Sequence, residues 1–85
     1  MSEYQIEFRP AALRELRKVD RAMRPRLHGA IALLAQDPRP PASRQLRGRD
    51  GYRLRVGDYR IIYTINDRIL LIVVVTIGHR RDVYQ

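Results

Sequence analysis

The chemistry this sequence offers is concentrated in arginines set around a predicted hairpin. Arg53, Arg55 and Arg60 flank Gly57-Asp58, a two-residue turn with glycine first, inside two stretches that alternate apolar and polar residues, Tyr52 to Val56 and Tyr59 to Ile65. A loop of that length fixes the register: Val56 opposes Tyr59, Arg55 opposes Arg60 and Arg53 opposes Ile62. Because side chains alternate along a strand, Tyr52, Leu54, Val56, Tyr59, Ile61, Tyr63 and Ile65 share one face, and the three arginines share the other. Like charges directly opposite one another destabilise a sheet by a few tenths of a kcal/mol to roughly 1 kcal/mol. A bound anion removes that repulsion. Guanidinium suits phosphate because its planar fork donates two parallel hydrogen bonds. The alternative, a solvated arginine-rich strand face, leaves unexplained why Arg39, Arg44, Arg47 and Arg49 lead into the same region. From Pro38 to Arg60 seven arginines stand against Asp50 and Asp58, a local charge of +5.

The tail adds further groups. Gly78-His79-Arg80-Arg81-Asp82-Val83-Tyr84 follows a buried strand that must run beside the arginine hairpin. A three-residue turn before that strand would put Thr76 and Arg80 on the arginine face; a two-residue turn would put Ile77 and His79 there. Imidazole can move protons near neutral pH, and a tyrosine can stack on an exposed base. Tyr84 could equally close the last strand as an apolar cover. His28 falls on the exposed side of a helix and reads as a surface histidine.

Other chemistries find no support. The chain has no cysteine, which excludes disulfides, thiolate metal sites and a thiol nucleophile, and fits a reducing compartment. His28 and His79 without cysteine make a poor metal site, so no metal and no cofactor is expected. The glycines are scattered, with no phosphate-binding loop. No close carboxylate pair is present, and Ser2 and Ser43 have no evident activating partner.

The elements that must position these arginines follow from patterning. Tyr4 to Phe8 alternates as a half-buried strand with Tyr4, Ile6 and Phe8 inward. Pro10 suits the first turn of a helix carrying Ala12, Leu13, Leu16 and Val19. Asp20 is a candidate N-cap for a second helix, which starts near Arg21 to Arg24 and places Met23, Leu27, Ala30, Ile31 and Leu34 on one face until Asp37-Pro38 ends it. Arg39 to Asp50 shows no periodicity and reads as a connecting loop. Asn66-Asp67-Arg68 turns the chain into a last, buried strand from Ile69 to Ile77. The expectation is an α+β fold: an N-terminal strand, a helical hairpin, then a three-stranded antiparallel meander, with the helices packed on one face of a twisted sheet and residues 1–85 forming a single domain.

Composition agrees with that class. Seventeen basic residues, Lys18 being the only lysine, against nine acidic ones give a net charge of +8 in 85 residues, 45% of them hydrophobic. A chain this basic expects a polyanion, nucleic acid first. The segment MSEYQIEFRP has neither the basic start nor the apolar core of a secretion signal, and Ile69 to Ile77 is too short to span a bilayer, so a cytoplasmic protein with no membrane partner is expected.

Two segments, GYRLRVGDYRIIY (Gly51 to Tyr63) and VVVTIGHRRDVY (Val73 to Tyr84), resemble the RelE/ParE superfamily of bacterial type II toxins. The preceding strand and helical pair, Asp37-Pro38 and Gln45-Leu46-Arg47-Gly48 match as well, so the resemblance covers nearly the whole chain. It implies a toxin made beside an antitoxin that neutralises it, the two forming a hetero-oligomer. RelE-like members enter the ribosome and cut mRNA without a metal, the ribose 2′-OH attacking the adjacent phosphate. The positions that carry this chemistry in RelE-like proteins fall on Arg53, Arg55, Arg60, Arg80 and Tyr84, with Arg44, Arg47, Arg49 and Arg81 as further RNA-binding candidates.

One departure has chemical consequences. Members are often described with lysine or glutamate available as the general base, whereas this chain has arginine at both positions before the hairpin turn. Arginine stays protonated, so it can stabilise phosphorane-like charge but is a poor base. The proton work would then fall to His79 or Tyr84. ParE-like members, which share the fold, instead bind and trap DNA gyrase. That is the alternative reading, and an RNA binder without activity is a third.

Overall fold

The computed structural model describes residues 3–79, which build two helices and a sheet of five strands in the order β1-β5-β4-β3-β2. β1 (Gln5–Phe8) pairs parallel to β5 (Leu71–His79), and the other ladders are antiparallel. The sheet is therefore mixed: the expected meander is antiparallel, and the N-terminal strand joins it in parallel. One difference from the expectation is β2 (Ser43–Gln45), an edge strand of three residues inside the stretch read as a loop. It is too short for periodicity to reveal and is held by pairing with β3 (Tyr52–Val56), with Leu46 N–H donating to Gly51 C=O at 2.9 Å.

The helices form as the apolar stripes predict. α1 (Pro10–Lys18) begins on proline, whose absent N–H is no loss in a first turn, and buries Ala12 and Leu16. Leu13 is 39% exposed, one step off that face. α2 (Arg24–Leu34) buries Leu27, Ile31 and Leu34 at 3.6-residue spacing. Its N-cap is Met23, with no side-chain cap, because Asp20 is used differently: its carbonyl accepts from the N–H groups of Met23 (2.9 Å) and Arg24 (3.2 Å) in a turn before the helix. The joint is tied by Arg24, whose guanidinium donates to the carbonyls of Val19 (3.1 Å) and Arg17 (2.8 Å) at the C-terminal end of α1.

The core lies between the helical pair and one sheet face. Leu54, Val56, Ile61, Tyr63, Ile72, Val74 and Ile77 from the sheet meet Ala12, Leu16, Val19, Leu27, Ile31 and Leu34. Tyr63 is fully buried, and its hydroxyl donates to the Pro38 carbonyl at 2.7 Å, which satisfies a polar group that would otherwise cost about 1–3 kcal/mol. Burial, as the largest effect, pushes that phenol above its ordinary range.

β4 (Tyr59–Asn66) and β5 are joined by Asp67 to Leu70, and β5 starts two residues later than the apolar run suggests. The Asn66 side-chain oxygen accepts from the N–H groups of Arg68 (3.0 Å) and Ile69 (3.3 Å), and Leu70 takes a φ of +55° to close the turn. Ile69 is spent in that turn and left 64% exposed.

Candidate functional site

The β3–β4 hairpin has the register that its turn dictates: Val56↔Tyr59, Arg55↔Arg60, Leu54↔Ile61 and Arg53↔Ile62. Gly57 has a φ of +59°, the left-handed conformation required at the first position of a type II′ turn. A Cβ there would lie 2.6 Å from Met23 Cε, so the tip of the hairpin is seated on the start of α2. The apolar partners turn toward the helices, and Arg53, Arg55 and Arg60 occupy the opposite face.

β2 completes the cluster. It sets Arg44 directly opposite Arg53 across the ladder, where Arg44 Nη1 lies 3.4 Å from the carbonyls of Pro41 and Ser43. Arg44, Arg53, Arg55 and Arg60, with Ala42, line a single concavity of about 260 Å³. None of its described lining residues is acidic. A second hollow, of about 550 Å³, continues over Arg44, Gln45, Leu46, Arg47 and Arg53, so Arg47 extends the basic surface. Arg49 lies in the segment between β2 and β3 and lines neither hollow.

Arg39 belongs elsewhere. It approaches Asp67 with both terminal nitrogens, at 3.3 and 2.9 Å, and its Nε donates to the Tyr52 hydroxyl at 3.0 Å. The Tyr4 hydroxyl donates to the same carboxylate at 2.6 Å. Arg39 first, then Tyr4, hold the Asp67 carboxyl below its ordinary range, and Asp67 in turn raises Tyr4. This network fastens the loop after α2 to the β4–β5 turn and withdraws Arg39 from the basic face. Neither the Tyr4–Asp67 nor the Arg39–Tyr52 contact carries a sequence signal, because each joins distant segments.

On β5 the pairing changes by one residue between Ile62 and Tyr63, from Tyr63↔Val74 to Ile62↔Thr76. Val75 is the extra residue of a bulge, which re-aims the end of the strand. Thr76 and Gly78 consequently share the arginine face, opposite Ile62 and Arg60. Thr76 thus takes the face that a three-residue turn would give it, reached instead by a longer turn and a bulge; Arg80, its expected companion, lies outside the described residues.

His79 pairs with Tyr59, packs edge-on against its ring at a centroid distance of 5.0 Å, and joins Asp20, Met23, Arg26, Gly57, Asp58 and Tyr59 around a hollow on the helix side. The register thus brings Arg44, Arg53, Arg55 and Arg60 together and does not bring His79 to their face. Arg80, Arg81 and Tyr84 lie outside the described residues.

Four guanidinium groups on one sheet face can neutralise phosphate and stabilise charge that develops on it. They cannot readily take a proton.

Known proteins agree with this architecture. A family described as "ParE toxin of type II toxin-antitoxin system, parDE" matches residues 6–84. A putative RelE-like toxin protein of Escherichia coli is 36% identical, over 96% of this chain and 90% of that protein. The mRNA interferase toxin RelE of Escherichia coli K12 is 32% identical over the same shares of each. The crystal structure of the intact E. coli RelBE toxin–antitoxin complex contains a chain that superposes with a TM-score of 0.78 at 29% identity, covering 89% of this chain and 95% of that one.

Proposed function

Because the chain belongs to the ParE toxin family of type II toxin–antitoxin systems, with RelE-like relatives, we propose that it is a metal-independent endoribonuclease that cuts mRNA on the ribosome and so stops translation. The observation that carries this reading is the convergence of Arg44, Arg53, Arg55 and Arg60 on one concavity.

In the reaction the ribose 2′-OH attacks the adjacent phosphorus. The 2′-O–P bond forms and the P–O5′ bond breaks, which leaves a 2′,3′-cyclic phosphate and a 5′-OH. One proton leaves the 2′ oxygen and one reaches the 5′ oxygen. Negative charge grows on the non-bridging oxygens between these events, and fixed guanidinium groups are most effective there. Removing one such donor costs about 10²–10³ in rate. Arg53, Arg55 and Arg60 hold the phosphates at the cleaved step, with Arg80 supplementing them. Arg44, Arg47, Arg49 and Arg81 bind the flanking RNA. Proton transfer falls to Tyr84, because the register sets His79 beside Tyr59 on the helix side, and the ribosome orders the substrate. Binding to RNA should weaken steeply as salt rises, because each phosphate contact releases counterions.

The cellular partner is a cognate antitoxin in a hetero-oligomer. The basic face must be covered or distorted for the toxin to be harmless, and an acidic or strand-donating segment would do so. The second reading, a gyrase inhibitor, is favoured by one observation: the matching family carries the ParE name. Expression of the toxin without an antitoxin separates the two. The ribonuclease reading expects cut mRNA with intact DNA; accumulated DNA breaks with intact mRNA would establish the alternative, and neither would leave an inactive binder.

A further inference from the structure

We propose that the arginine face is a two-register clamp, in which Arg55 and Arg60 hold one phosphate of an RNA strand while Arg44 and Arg53 hold the next. This rests on the ribonuclease reading and deepens it, since the ligand becomes a dinucleotide step in place of a lone phosphate.

The sheet sorts the four arginines into two pairs. Arg55 faces Arg60 across the β3–β4 ladder, and Arg44 faces Arg53 across the β2–β3 ladder. Directly opposed residues have Cβ atoms about 4.5–5.5 Å apart, close enough for two guanidinium groups to share one phosphate. The pairs are displaced from one another by two residues of β3, from Arg53 to Arg55, which is about 7 Å along the strand. All four then engage most naturally with two phosphates.

The rows also differ in their surroundings. Beyond Arg60 the row meets Gly78, and Ala42 lines the concavity on the other side, so small residues flank this pair. The Arg44–Arg53 row continues into Ile62 and Thr76, an apolar surface and a hydroxyl suited to a sugar or base. The Arg55–Arg60 row takes the reacting phosphate, and the Arg44–Arg53 row positions it by holding the neighbouring one.

The rise of about 3.4 Å per nucleotide is measured along the duplex axis, and the winding of the backbone around that axis adds to it, so successive phosphates of one strand lie farther apart than the rise and can meet both rows.

The test uses a 2′-O-methyl pentanucleotide, which cannot be cleaved, carrying a single neutral methylphosphonate at each linkage in turn. Affinity is read by fluorescence anisotropy at low salt. Two adjacent linkages should each lose about tenfold on neutralisation, the effect of losing one charge-assisted contact. Arg44→Ala should reduce the sensitivity of one linkage and Arg60→Ala that of the other, since each leaves one arginine of its pair in place. Arg44→Lys, which keeps the charge and loses the fork, should restore only part of it. One sensitive linkage, a uniform loss at all linkages, the same linkage affected by both variants, or no binding at low salt would overturn the clamp. Cleavage of ribosome-bound mRNA, followed in parallel, reports on the ribonuclease reading separately: cleavage with a one-linkage map removes only the clamp, and a two-linkage map without cleavage removes only the ribonuclease.

Discussion

Arg55 and Arg60 stand directly opposite each other on β3 and β4, a like-charged pair lining the basic concavity. Such a pair costs stability, and the function it serves should trade against the fold. Arg55→Gln or Arg60→Gln should raise the unfolding free energy by a few tenths of a kcal/mol to roughly 1 kcal/mol, measured by urea denaturation. The same variants should bind RNA more weakly with a shallower salt dependence. A loss of stability in both would mean that the opposed charges are not a net cost.

The hairpin tip is the second point of leverage. Gly57 combines a φ of +59° with a Cβ position 2.6 Å from Met23 Cε. Gly57→Ala should destabilise the protein by about 1–2 kcal/mol through backbone strain. Because Met23 is a flexible side chain, Met23→Ala in the same background should relieve the contact and leave the φ penalty. The decisive comparison is between the single and double variants: full recovery would place the whole cost in the contact.

The Arg39–Asp67–Tyr4 network predicts a pH dependence. Arg39 first, then Tyr4, depress the Asp67 carboxyl in the folded state below its ordinary 3.8. A depressed folded value contributes stability that is complete above the unfolded value and is lost as pH falls through the folded one. Asp67→Asn should therefore lower the melting temperature at neutral pH and reduce the further loss seen on acidification below about 4. Equal acid sensitivity in both proteins would exclude Asp67 from that response.

His79 is the residue whose role the register most constrains. It sits beside Tyr59 on the helix side, away from the arginine face. A general acid or base contributes roughly 10²–10⁴ in rate, so His79→Ala should change cleavage of ribosome-bound mRNA by no more than a few-fold if it plays no such part. A drop of that full size would return His79 to the proton chemistry and require the strand end to rearrange on the ribosome.

Legibility in the sequence followed the range of each interaction. The hairpin register could be read because a two-residue turn with glycine first determines it locally, and both helices could be read from their apolar spacing. Strand β2 escaped because Ser43–Gln45 has no pattern of its own; only pairing with β3 makes it a strand, and with it Arg44 moves from an approach loop to a place opposite Arg53. The parallel β1–β5 pairing and the Arg39–Asp67 ion pair escaped for the same reason, since each joins segments far apart in the chain. The bulge at Val75 is a tertiary adjustment, and it decided which face Thr76 and His79 would take.

The most direct test of the central claim is the rate at which purified wild-type protein and Arg60→Ala cut mRNA on programmed ribosomes, with the ends of the products identified. The account predicts cleavage by the wild type that leaves 2′,3′-cyclic phosphate and 5′-OH ends, and a rate about 10²–10³ lower for Arg60→Ala at unchanged stability or better. Wild-type protein that leaves the mRNA intact, or an Arg60→Ala variant that cuts as fast as wild type, would contradict it.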